Sequence, residues 1–197
     1  MTESTWNQTA LDIVNATRDQ YQTSDKLNMR INMHAKYSVN KESFGKMISS
    51  YYTIQPGDCI LELGAGTGDM WLSEVHRVLK DGGKFCCATY GEHGVIPFIA
   101  NMLKEYNVED RTNKRFTLQN GGSVLEKHFS RVSRHNYEDH WEVTDIDDLC
   151  DYVYSLTSLT GLGEKITRKD MYRTFEGQMI NGILTIPKEY GVFVCRK

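Results

Sequence analysis

Three glycines at alternate positions, Gly64, Gly66 and Gly68, follow the apolar run Cys59-Ile-Leu-Glu-Leu63 and precede a helical stretch. A helix that starts at such a turn offers free N–H groups and the positive end of its dipole, and the missing side chains let a ligand reach the backbone. That chemistry suits a nucleotide-like cofactor, although the same turn also serves close strand–helix packing. The spacing is GxGxG. Dinucleotide sites favour GxGxxG with an acid about 20 residues on, and here the next strand-like run, Lys84 to Tyr90, ends without one. Nicotinamide and flavin dinucleotides are thereby disfavoured.

For proton transfer the chain offers His34, His93, His128, His135, His140, Tyr90 and Tyr137, and residue type alone does not rank them, so no catalytic residue is assigned. His135 and His140 bracket the run His-Asn-Tyr-Glu-Asp-His, but five residues apart on an extended strand they face opposite ways. No CxxC pair accompanies them, and no metal is expected. Trp71 and Trp141 are read as core or pocket walls.

The elements that must position these groups alternate along the chain. A helix is expected over Trp6 to Tyr21, and the segment from Leu27 to Asn40 reads as irregular. Asn40 is a candidate cap for a helix carrying Phe44, Met47, Ile48 and Tyr51, closed by the turn Gln55-Pro-Gly57. A buried strand then leads to the glycine turn, a helix to Lys80, the stop Asp81-Gly-Gly83 and a second strand to Tyr90, together one right-handed βαβ unit. Further helices are expected near Ile96 to Tyr106 and Ser123 to Phe129, and a strand through Arg131 to Val143. Thr144 with Asp147 resembles a capping box for the next helix, another helix spans Arg168 to Ile180, and the C-terminus reads as a hairpin turning at Pro187-Lys-Glu. The domain expectation is a helical lead-in or cap over 1–57 and a core over 58–197, one domain overall.

Glu62-Leu-Gly-Ala-Gly-Thr-Gly68 resembles the first motif of class I S-adenosylmethionine-dependent methyltransferases, in which E/DxGxGxG closes the first strand. Arg30 to Asn40 resembles the lead-in of one bacterial group of these enzymes, and Glu74-Val-His-Arg-Val-Leu-Lys-Asp-Gly-Gly83 resembles their helix before the fifth strand. Phe85 to Gly91 and Tyr190-Gly-Val-Phe-Val194 resemble that strand and the C-terminal one. The resemblance implies a Rossmann-like α/β fold with S-adenosyl-L-methionine as cofactor. Gly64, Gly66 and Gly68, with Ala65 and Thr67 between them, would bring backbone to its methionine part, and Glu62 would organise the turn near its amino group. Tyr37 would close over the cofactor, or else serve as a buried aromatic that orients its own segment.

One departure from the family pattern is large. Gly68 and Glu74 are separated by Asp69-Met-Trp-Leu-Ser73 alone, where the family has three more strands. At about 30 residues per βαβ unit, roughly 60 or more residues are absent. They would carry the acid that grips the ribose, the residues flanking adenine, and a substrate-facing loop, so cofactor binding is expected to be weak or lost unless a second copy completes it. In the family's strand numbering the remaining mixed sheet has the order 1-5-7-6 with the last strand antiparallel. Its first strand becomes an apolar edge, which a homodimer or an exchange of elements would cover.

Charge and composition bound the partners. With 23 basic and 26 acidic residues and a formal net charge of −3, the 197-residue chain has no electrostatic footprint for nucleic acid or an anionic membrane. No apolar run approaches the roughly 20 residues of a membrane span. Five cysteines without paired spacing fit reduced thiols in a cytoplasmic protein. The expected function is methyl transfer to a small-molecule acceptor. The alternative is a catalytically impaired deletion variant or remnant that acts as a dimeric scaffold.

Overall fold

A computed structural model describes residues 24–59 and 72–197. The expected N-terminal helix, residues 60–68 of the strand and glycine turn, and Trp71 lie outside the described residues, and the crossover helix is described from Leu72 onward. The architecture is mixed α/β. The chain divides into two compact units, one holding residues up to 39, 99–111 and 141–186, the other 40–98, 112–140 and 187–197.

The first unit is mainly helical. Helix α1, Ser24–Tyr37, occupies the stretch expected to be irregular. Its apolar pattern is weak because Leu27 and Ile31 remain exposed while only Met33 and Tyr37, one turn apart, are buried, so the sequence shows no continuous apolar stripe.

In the same unit, α6, Ile146–Ser155, buries Ile146, Leu149, Cys150 and Val153 at i, i+3, i+4 and i+7. Its cap is Asp145, one residue beyond the Thr144 expected: the Asp145 carboxylate accepts from the Asp147 N–H at 3.0 Å. Helix α7, Arg168–Glu176, is capped by Thr167, whose hydroxyl accepts from the Asp170 N–H at 3.2 Å and donates to its carboxylate at 2.6 Å. Two short strands, β2 (Glu109–Asp110) and β4 (Leu159–Thr160), pair antiparallel.

The second unit holds the sheet's main pairing. Strand β1, Lys84–Tyr90, pairs antiparallel with β5, Leu184–Arg196, in the register Lys84↔Arg196 to Tyr90↔Tyr190. Strand β3, Arg131–Val143, lies on the other side of β5, giving the order β1-β5-β3. Both β3 and β5 carry residues of both units. The helices here are α2 (Phe44–Ser50), α3 (Leu72–Val78), α4 (Val95–Met102, whose last residues belong to the first unit) and α5 (Gly121–Leu125). A core of Leu72, Val75, Leu118, Leu125, Phe129, Phe193 and Cys195 is buried among them. Phe193, which is 1% exposed, has its ring centroid 5.9 Å from that of Phe116.

Two local expectations fail for identifiable reasons. Ser43 caps α2, accepting from the Lys46 N–H at 3.2 Å; Asn40 instead donates through its side chain to the Glu138 carbonyl and through its backbone to Asp139. The C-terminal hairpin is absent because β5 runs straight through Pro187, Lys188 and Glu189. A three-residue hairpin turn ends on a residue at positive φ, for which Pro187-Lys-Glu offers neither Gly nor Asn. The reversal sits earlier, at Asn181 (φ 52°) and Gly182 (φ 78°), where Ile180 and Ile183 exchange both backbone hydrogen bonds.

A Cβ at Gly182 would meet open space, so only the backbone conformation resists a side chain there. Gly182→Ala is expected to lower stability by about 1–2 kcal/mol, read as a lower urea midpoint at unchanged slope.

Candidate functional site

Strand β1 ends at Tyr90, and the chain turns through Gly91-Glu-His-Gly94 into α4. Across from this turn β5 brings Glu189 and Tyr190, placed by the last registered pair, Tyr90↔Tyr190. Between them lies a cavity of about 100 Å³, with Tyr90, Val95, Ile96, Pro97 and Tyr190 forming its apolar wall. Glu92, Glu189, Thr117, Thr112 and Lys114 are the polar residues of its lining.

The carboxylates are held in place. Glu189 Oε2 accepts from the His93 N–H at 2.7 Å, and its Oε1 accepts from Gln119 Nε2 at 2.6 Å. Glu92 Oε1 accepts from the Thr117 hydroxyl at 2.9 Å, while the Glu92 N–H donates to Gln119 Oε1 at 3.0 Å. Gln119 thus links the two acidic residues through its two amide ends. The Gly91 N–H donates to the Glu189 carbonyl at 2.7 Å. A Cβ at position 91 would stand 2.0 Å from Glu189 Cδ, so the Glu189 carboxylate holds this place only beside a glycine.

On β5, one residue before Glu189, Lys188 is ion-paired with Asp139 of β3; their side chains are 4% and 0% exposed. Asp139 Oδ1 also accepts from the N–H groups of Asn40 and His140, each at 2.9 Å. The Lys188 ammonium lies 5.4 Å from the ring centre of Tyr137 and 5.5 Å from that of Tyr190. Burial lowers the Lys188 pKa, and Asp139 opposes that shift. Burial pushes the Tyr190 phenol up to about 12, with the Asp139 charge adding to it. This lysine is therefore balanced by its own carboxylate and leaves the cavity's charge unchanged.

The expected site residues fare differently. Glu62, Gly64, Ala65, Gly66, Thr67 and Gly68 lie outside the described residues. Tyr37, on α1 in the first unit, is 4% exposed and donates its hydroxyl to Asp148 Oδ2 at 2.6 Å. Lys36 Nζ donates to the same oxygen at 2.6 Å. Hydrogen bonds from Lys36 and then Tyr37 hold the Asp148 carboxyl below its usual range, and burial raises the Tyr37 phenol. Tyr37 is a tie between α1 and α6.

Among the candidate bases, Tyr90 alone faces the cavity, and its hydroxyl donates to the Asn113 carbonyl at 2.7 Å. The Tyr137 hydroxyl donates to the Glu42 carbonyl at 2.5 Å. The His34 ring stands edge-on to Trp141, and the His135 ring hydrogen-bonds with Ser133. His93, His128 and His140 do not line the cavity.

Burial raises the thiol pKa of Cys87 and Cys150 to about 11 and of Cys195 to about 12, which keeps them protonated and unreactive at neutral pH. Among the described residues no cluster of His, Cys, Asp or Glu could hold a metal, and no helix is long and apolar enough to cross a membrane.

Glu92, Glu189 and Gln119 were not singled out by sequence because each stands alone in a different segment. The available signal was the pair Gly91 and Gly94 directly after a strand, a local cue for close approach of another chain segment. No family model matches the chain, and no curated protein does.

Proposed function

We propose that this chain is a cytoplasmic, Rossmann-like methyltransferase-type domain whose cavity beyond β1 receives a small-molecule methyl acceptor. S-adenosylmethionine is held at the Glu62 to Gly68 turn, and a second copy in a homodimer, with exchanged elements, completes its site. The observation that carries this reading is the position of the cavity: open α/β sheets bind ligands at the carboxyl ends of their strands, and the cavity opens beyond Tyr90, the last residue of β1. The order β1-β5-β3, with β5 antiparallel to β1, supports it as well, since these strands would supply positions 5, 7 and 6 of the truncated family sheet.

The cofactor supplies an activated methyl group when bound. The chain's own residues align the acceptor and exclude water: Glu92 and Glu189 fix its polar end, while Val95, Ile96 and Pro97 form a dry wall. A second reading, a non-catalytic dimeric scaffold, is favoured by the engagement of Tyr37 with Asp148.

Calorimetry of the full chain with S-adenosylmethionine separates the two. The methyltransferase reading expects saturable binding, submicromolar if the dimer completes the site. Absence of heat at millimolar cofactor rejects that reading and leaves the scaffold.

A further inference from the structure

The charged residues that line the cavity beyond β1 are two acidic, Glu92 and Glu189, and one basic, Lys114, beside an apolar wall. Lys188, the nearest cation along β5, is neutralised by Asp139. A carboxylate offers about four acceptor positions. The contacts from His93 and Gln119 occupy one lone pair on each Glu189 oxygen, so the group stays fixed and retains capacity for an incoming donor. Gly91 is the cradle: with any side chain there, the Glu189 carboxylate could not lie where it does. Tyr90 and Tyr190 add aromatic rings to the wall, and such rings attract cations. A volume of about 100 Å³ admits only a small group.

We propose that this cavity binds a small organic cation, an alkylammonium group of about five heavy atoms whose nitrogen meets Glu189 and Glu92. The assignment rests on the acceptor reading above, which it narrows to amines, but the binding itself requires no cofactor. Neutral alcohols of the same shape fit the wall and lose the charge-assisted hydrogen bonds. Anions are repelled.

The test is a backbone amide NMR titration of the full chain at pH 7 with isobutylamine, which is protonated there, and with isobutanol as its neutral counterpart. The amine is expected to bind at least tenfold more tightly, with shifts centred on Gly91 to Ile96, Thr117 and Glu189. Glu189→Gln, which keeps an acceptor for the His93 N–H, is expected to abolish that preference, and so is Gly91→Ala, which displaces the carboxylate without removing it. A preference below tenfold in the unaltered protein, or amine shifts centred elsewhere, overturns the proposal with no variant needed. Amine binding without S-adenosylmethionine binding would sink the methyltransferase reading and keep the cation site; the reverse result would do the opposite.

Discussion

Asp139→Ala is expected to destabilise the protein by about 3–5 kcal/mol, because it strands a buried lysine without its counter-charge. Lys188 is 4% exposed, so water cannot replace the lost carboxylate. The same substitution removes the side-chain acceptor of the Asn40 and His140 N–H groups. Lys188→Met should cost less, since the remaining carboxylate keeps two backbone donors and the new side chain lies beside the Tyr137 and Tyr190 rings that now face the ammonium. The double variant should recover part of the loss, giving a coupling energy of roughly 1–3 kcal/mol in a double-mutant cycle.

The pH dependence has a definite sign. The folded-state pKa of Lys188 is lowered, so between that value and the unfolded value near 10.4 the unfolded chain binds more protons and this lysine's contribution to stability rises with pH. Without Asp139 the folded pKa falls further. The penalty of Asp139→Ala should therefore shrink as pH is raised from 7 toward 10. Tyr190 acts the other way at higher pH: its phenol stays protonated in the fold up to about 12, so stability declines once the unfolded phenol ionises near 10. Urea midpoints at several pH values read both effects, and a penalty that is constant with pH would contradict the charge assignment.

Trp141→Ala is expected to cost a similar amount, about 3–5 kcal/mol, through the cavity it opens. The indole is fully buried in the first unit, edge-on to Tyr152 at 5.0 Å and to His34 at 4.9 Å. Its Nε1 has no hydrogen-bond partner among the described residues, an unfavourable burial of a donor. Trp141→Phe removes that orphan along with part of the ring, so its cost should fall well below that of alanine. Equal losses for the two variants would show that the indole donor is satisfied after all.

The elements most legible from sequence were those with a strong period and flanking punctuation. Lys84 to Tyr90, an apolar run after Asp81-Gly-Gly83, and Arg131 to Val143 have the bounds read from the pattern. Helix α1 was illegible because Leu27 and Ile31 face solvent while Met33 and Tyr37 are buried, which blurs the helical stripe. The C-terminal reversal falls at Asn181-Gly182 rather than at the expected Pro187-Lys-Glu, because positive φ, which Asn and Gly tolerate, is what a tight turn demands. The cavity's carboxylates were invisible for a different reason. Glu92 and Glu189 are nearly a hundred residues apart and meet only through the antiparallel register of β1 with β5. The glycine turn, which sequence singled out first, lies outside the described residues, and Tyr37, expected beside it, is tied to Asp148.

Where S-adenosylmethionine perturbs the chain decides whether it carries the proposed methyltransferase-type cofactor site. In a backbone amide NMR titration of the full chain, Gly64, Gly66 and Gly68 are expected to shift together and saturate with one dissociation constant. No shift at these three glycines at millimolar cofactor, or shifts confined to other segments, would contradict it.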